Sequence, residues 1–275
     1  MLNQYDCATI VVVRRIMIRD TFRSLLLLVH YWFPVVLGWS VVLVIHQATS
    51  LPISTSGLYI YLLGICAAYS LDRIVDNTDP SRPVWLRAAL FTGFLFSATV
   101  GFFLALHLSA QTFSALVLFS AITLSYAWIK RLPFAKGVLV GVVWVWAGVA
   151  LSFSNHHWFA WQFWTMGVSL PMVILIACGV VLCDFKDIKT DHLQGVKSLP
   201  AMLGSRKTVI VISSLLIVAT LISYREGRME LVISGALLLL ITQFPRLLSL
   251  KAIGPLIVDA SLAVPGVLIA FHLVS

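Results

Sequence analysis

Three stretches of this chain, residues 24–71, 88–129 and 137–183, contain no Asp, Glu, Lys or Arg. A helix crossing a bilayer needs about 20 apolar residues, so each stretch has room for two crossings. Each also has a polar or proline break near its middle: 46–52 with His46 and Pro52, 107–111 with His107 and Gln111, and 155–157 with Asn155, His156 and His157. Six helices are expected there. Residues 208–224 supply a seventh and the short run 231–245 an eighth. Residues 252–275 supply a ninth, interrupted by Asp259 and Pro265. Backbone groups in hydrocarbon must be paired within the segment, which makes these spans helices. Only 11% of residues are charged and mean hydropathy is +0.99; a soluble domain has about 25% charged residues. The expected fold is all-α: a polytopic membrane helical bundle of about nine transmembrane helices. It forms a single domain over 1–275, in two pseudo-repeated halves (about 20–130 and 137–250) plus a last helix, 252–275.

The charges orient the bundle. Of the 19 Lys and Arg, 17 fall in the N-terminal tail and in the loops after the second, fourth, sixth and eighth helices; only Arg225 and Arg228 fall on the other side. The positive-inside rule then places the N-terminus in the cytoplasm. The net charge of +8 is accounted for by topology and by attraction to anionic lipid headgroups, and does not mark a nucleic-acid surface. No cleavable signal peptide is expected: the first apolar run is too long and lacks a small-residue cleavage site. Cys7, Cys66, Cys178 and Cys183 form no C-x-x-C pair, and Cys66 and Cys178 are expected in the core.

Six of the 11 acids fall in two short segments, Asp72, Asp76 and Asp79 after the second helix and Asp184, Asp187 and Asp191 after the sixth. Spacings of three and four share a helix face. Asp72 and Asp76 therefore point together, as do Asp184, Asp187 and Asp191 if the helix continues that far. Carboxylates at a helix C-terminus oppose its dipole by about 0.3–1 kcal/mol each. A bound cation reverses that penalty. Mg²⁺ takes one or two carboxylates plus phosphate oxygens and water, so two facing clusters suit a Mg²⁺–diphosphate and the ionisation of an allylic C–O bond. The plainer alternative is a pair of solvated helix ends. An EF-hand is excluded, as neither segment has its glycine and terminal Glu.

At these residues the chain resembles the UbiA family of intramembrane prenyltransferases. Asp184-x-x-Asp187-x-x-x-Asp191, with Gly195-Val196-Lys197-Ser198-Leu199-Pro200 and Leu203-Gly204 downstream, is similar to that family's second aspartate motif. Asp72-x-x-x-Asp76 followed by Ser81-Arg82-Pro83 resembles the first. A third match runs from Ser125 and Tyr126 to Lys130, Arg131 and Pro133. One departure stands out: the family's first motif usually opens with Asn four residues before its first Asp, where this chain has Ala68.

The resemblance implies that Asp72, Asp76, Asp184, Asp187 and Asp191 bind Mg²⁺–diphosphate. It makes Arg73, Lys130, Arg131, Lys189 and Lys197 candidates for the phosphate oxygens, and the Tyr126 ring a candidate to steady a developing cation. Asp259, the one acid deep within an expected span, suits orienting an acceptor hydroxyl or accepting its proton; the alternative is a neutral, protonated Asp pairing with another helix. His30 is expected to pack. Residues 184–207 are the candidate capping loop. The implied partners are a polyprenyl diphosphate, membrane lipid and a hydrophobic acceptor, an aromatic or quinone precursor. Alternatives are a membrane terpene cyclase, a polyprenyl-phosphate phosphoribosyltransferase, and a transporter or scaffold. Transporters place charges near the midplane of broken helices, and here Asp259 alone fits that pattern.

Overall fold

A computed structural model describes residues 32–75, 84–129, 132, 135–153, 167–250 and 253–272. Among them the chain is helical, without strands. The helices are α1 (Trp32–Thr49), α2 (Thr55–Val75), α3 (Val84–Ala105), α4 (Ala110–Ile129), α5 (Ala135–Ser152), α6 (Ser169–Cys183), α7 (Ile188–Gln194), α8 (Leu199–Leu203), α9 (Ser205–Arg225), α10 (Met229–Thr242), α11 (Pro245–Leu248) and α12 (Ile253–Ala270). Each of the nine expected spans carries one of the longer helices. Six of these are long and apolar enough to cross a membrane, and Ala110–Tyr126 and Met229–Thr242 are shorter apolar helices.

Two of the expected breaks are turns with identifiable chemistry. After α1, Thr49 Oγ1 donates to the Ile45 carbonyl, His46 Nδ1 lies 2.7 Å from the Leu51 carbonyl oxygen, and Ser50 takes a left-handed φ of 56°. Before α4, Ser109 Oγ accepts from the Thr112 amide, as an N-cap does. The third break, at 155–157, lies outside the described residues.

α6, α9, α10 and α12 pack as a closed circuit, and α2, α3, α4 and α5 extend from it through α5. α2 packs on α3 and α5, α5 on α4 and α6, α6 on α9, α9 on α10, and α10 on α12, which returns to α6. α12 also meets α1, where the Gly266 amide donates to Ser40 Oγ. α6 sits centrally, 61% of its span buried, whereas 22% of α3 is buried and Phe91, Phe96, Phe102 and Phe103 stand exposed on it. A helix that is apolar all round but covered on one side only has hydrocarbon for its other neighbour.

Glycine permits a close approach of α5 to α6. Gly137 and Gly141 are four residues apart on α5, and a Cβ on either would come within 3.0 Å and 2.6 Å of the Ala177 and Val173 carbonyl oxygens of α6. This is the small-residue seam that lets membrane helices approach closely. It fixes the register of the antiparallel pair α5–α6, so that the start of α5 meets the end of α6.

Two sequence expectations are corrected. α12 is continuous through Asp259 and Pro265. Pro265 lacks the amide that would bond the Ser261 carbonyl, but Ser234 Oγ of α10 donates to that carbonyl at 2.8 Å. A neighbouring helix thus supplies the missing donor, as the hydrocarbon environment requires. The eighth span, expected over 231–245, is instead α10 from Met229 to Thr242, which brings Glu230, 3% exposed, into its first turn.

Candidate active site

α6 does not continue through the second acidic segment. It ends at Cys183, residues Asp184–Lys186 form a single 3₁₀ turn, and α7 starts after Asp187. The single-face expectation for Asp184, Asp187 and Asp191 is therefore corrected. The turn still gathers the three acids: Asp187 N donates to the Asp184 carbonyl, Asp191 N donates to the Asp187 carbonyl, and the Asp184 carboxylate lies in the field of both. α7 ends on Gly195 at a left-handed φ of 68°, and the Val196 amide returns to the Asp191 carbonyl. This is a Schellman-type stop, which favours glycine. The chain then doubles back. Ser198 Oγ donates to Asp191 Oδ2, and Leu199 enters the core. Residues 184–207 are thus a folded flap at this end of the bundle.

Asp184 is the hub. Its side chain is 5% exposed and accepts from the Lys136 ammonium, which is 31% exposed. Each charge sits at the wrong end of its helix. Lys136 is in the first turn of α5 and Asp184 caps the C-terminus of α6, so both dipoles oppose them. The two charges compensate each other. Losing one partner of a buried pair costs about 3–5 kcal/mol, and the part-exposed lysine puts this pair at the lower end. Lys136 also lies in the field of Asp191. Partial burial raises the Asp191 carboxyl above the usual carboxylate range, while the Ser198 hydroxyl and the Lys136 charge hold it down.

Asp72 and Arg73, the described start of the first motif, lie near this cluster. Both are in the last turn of α2 and act with Lys136 and Asp184 on the hydroxyl of Tyr126 near the end of α4. Arg73 also faces Lys186. One turn back, Tyr69 stacks edge-on against Trp144 with centroids 5.9 Å apart, and lies in the field of Asp259, Cys183, Arg73 and Tyr126. Asp259, 8% exposed on α12, thereby joins the same end of the bundle. Ala68 is half-buried on α2, one turn before Asp72.

The described structure thus brings Asp72, Arg73, Tyr126, Asp184, Asp187, Asp191 and Asp259 into one neighbourhood. Lys189 and Lys197 lie exposed on and after α7, without an ion pair to these acids among the described residues. Asp76, Asp79, Lys130, Arg131 and His30 lie outside the described residues. Cys66 and Cys178 are free and buried, as expected. The sequence reasoning missed Tyr69 and Lys136. In the sequence Lys136 is one of the charges in the loop after the fourth helix; a lysine in a first helical turn, next to Gly137-x-x-x-Gly141, is the signal that sets it apart.

The model of the UbiA prenyltransferase family matches residues 66–258. A digeranylgeranylglyceryl phosphate synthase of Methanothrix thermoacetophila is 30% identical over 155 residues, covering 54% of each chain, so the match spans about half the length of that relative. The apo structure of a UbiA homolog from Aeropyrum pernix K1 superposes with a TM-score of 0.59 at 17% identity, over 84% of this chain and 96% of that one. A UbiA homolog from Archaeoglobus fulgidus, bound to GPP and Mg²⁺, gives 0.54 at 13%, over 88% and 98%. At these identities the likeness is one of fold: a multi-pass, all-helical membrane bundle. By the extent of the family match, the chain belongs to the UbiA prenyltransferase family.

Proposed function

We propose that the chain is a Mg²⁺-dependent prenyltransferase that moves a polyprenyl group from its diphosphate to a hydrophobic acceptor within the membrane. The observation that carries this is the convergence of Asp184, Asp187 and Asp191 with Asp72, Arg73 and Tyr126 at one end of the bundle. By the distribution of Lys and Arg, that end is cytoplasmic.

The donor set suits Mg²⁺. Its side-chain oxygens are hard, and the buried Asp184 carboxylate already holds a cation, the Lys136 ammonium. Among the described residues no three His, Cys, Asp or Glu side chains could enclose a metal by themselves. Mg²⁺ takes one or two carboxylates and completes its shell with water and substrate phosphate. Asp72, Asp76, Asp184, Asp187 and Asp191 would hold it. When bound, Mg²⁺ supplies neutralisation of the departing diphosphate.

The protein groups do the rest. Arg73, Lys130, Arg131, Lys189 and Lys197 are placed in the sequence to take phosphate oxygens as the allylic C–O bond breaks. The rings of Tyr126 and Tyr69 offer π-faces to the allylic carbon. The flap at 184–207 limits water, which would otherwise capture that carbon. The acceptor forms the new bond to the allylic carbon, and its proton passes to a carboxylate, for which Asp259 beside Tyr69 is the candidate.

The acceptor we favour is a neutral hydroxylated aromatic or quinone precursor, because the buried Asp259 carboxylate disfavours a second anion. The similarity to a digeranylgeranylglyceryl phosphate synthase supports a second reading, with a prenylated glyceryl phosphate as acceptor. Purified protein in lipid, given geranylgeranyl diphosphate, Mg²⁺ and each acceptor class in turn, tests both. A prenylated aromatic product supports the first and a glyceryl phosphate ether the second. A cyclised hydrocarbon formed without acceptor would contradict both.

A further inference from the structure

The position of Lys136 has a consequence beyond pairing. Its ammonium sits on Asp184 and in the field of Asp191, within the carboxylate group expected to receive a divalent cation. The Gly137–Gly141 seam holds its helix against α6, so the lysine is delivered there by the packing of two helices rather than by a flexible loop. A cation in the first turn of a helix is disfavoured by the dipole, and nothing in helix formation explains its presence.

We propose that Lys136 is a built-in counter-cation of the acidic cluster, which the incoming divalent cation displaces from Asp184. This rests on the prenyltransferase reading of the site. Before substrate arrives, Lys136 keeps a buried carboxylate at a helix C-terminus compensated, so the cluster stays assembled. When Mg²⁺ takes the Asp184 oxygen, the ammonium is released at the mouth of the site, where a leaving diphosphate collects. Two cations competing for one oxygen have opposed binding energies. Removing the lysine charge therefore weakens the metal-free protein and strengthens its hold on Mg²⁺. A lysine with only a structural role would do the reverse, since damage to the cluster weakens metal binding.

The test uses full-length protein in lipid nanodiscs, with Mg²⁺ alone as the probe, read by thermal unfolding and calorimetric titration for the native chain, Lys136→Gln, Lys136→Arg and Asp184→Asn. Lys136→Gln is expected to unfold at lower temperature without Mg²⁺, yet to bind Mg²⁺ about tenfold more tightly, the scale of a charge-assisted hydrogen bond no longer in competition. Lys136→Arg should behave as the native chain does, and Asp184→Asn should lose the Mg²⁺ response. A Lys136→Gln chain that folds only with Mg²⁺ present is the same result in stronger form. One that Mg²⁺ does not rescue, or that binds Mg²⁺ no more tightly than the native chain, overturns the proposal. If the native chain meanwhile shows Mg²⁺-dependent diphosphate release, only this inference falls. If it shows neither release nor stabilisation by Mg²⁺, the prenyltransferase reading has failed and this inference with it.

Discussion

The ammonium of Lys136, at the start of α5, donates to Asp184 Oδ1, at the end of α6. The pair spans 48 residues of sequence and joins two helices whose dipoles both oppose it. The approach of α5 to α6 that makes it possible depends on the absence of side chains at Gly137 and Gly141.

Gly141→Ala should therefore be damaging out of proportion to its size. The added Cβ would lie 2.6 Å from the Val173 carbonyl oxygen, and backbone cannot rotate aside as a side chain can. Overpacking of this kind costs about 1–3 kcal/mol. Thermal unfolding in nanodiscs should show a lower midpoint. Gly64→Ala is the control, since a Cβ there would meet nothing within 4 Å and should leave the midpoint nearly unchanged.

Ser234→Ala should destabilise the chain by about 0.5–2 kcal/mol, the range for interhelical hydrogen bonds in membranes, because it orphans the Ser261 carbonyl. The effect is conditional on proline. In a Pro265→Ala background the residue at 265 supplies its own amide to Ser261, and Ser234→Ala should become nearly neutral. A double-mutant cycle on unfolding free energies measures the coupling; equal effects in both backgrounds would contradict the repair.

Metal-dependent activity should fall on acidification, because the deprotonated carboxylate is the ligand. Partial burial raises Asp191, and the Ser198 hydroxyl counters it by donating to the charged form. Ser198→Ala removes that donor, leaving the carboxyl still higher. The acid limb of the pH–rate profile should then move toward neutrality, with the plateau at high pH much less affected. A plateau loss with an unmoved limb would mean that Ser198 acts on the flap's fold rather than on Asp191.

Much of this was legible in the sequence for physical reasons. Residues 24–71, 88–129 and 137–183 must lie in hydrocarbon, and hydrocarbon admits helices, so the long helices and the turns after Thr49 and Ala105 follow. The acidic segments announce themselves because Asp72 and Asp184 defy the helix dipole. What the sequence hides is tertiary repair. Pro265 looks like an interruption because Ser234, its remedy, lies on another helix. Asp184, Asp187 and Asp191 look like one helix face because the spacing does not reveal that α6 tightens into a 3₁₀ turn at Asp184. Lys136 looks like a topology signal until α5 is packed on α6, and Asp259 gains its neighbours Tyr69 and Cys183 only when α12 closes the bundle.

The central claim is tested most directly by diphosphate release from geranylgeranyl diphosphate with an acceptor panel, with and without Mg²⁺, by the native chain, Asp72→Ala and Asp184→Ala. Mg²⁺-dependent release by the native chain, reduced at least a hundredfold in both variants, is the predicted result, on the scale of losing a group that stabilises developing charge. Variants that still bind Mg²⁺ and prenyl diphosphate as the native chain does would contradict the account, and the aspartates would then be no more than solvated helix ends.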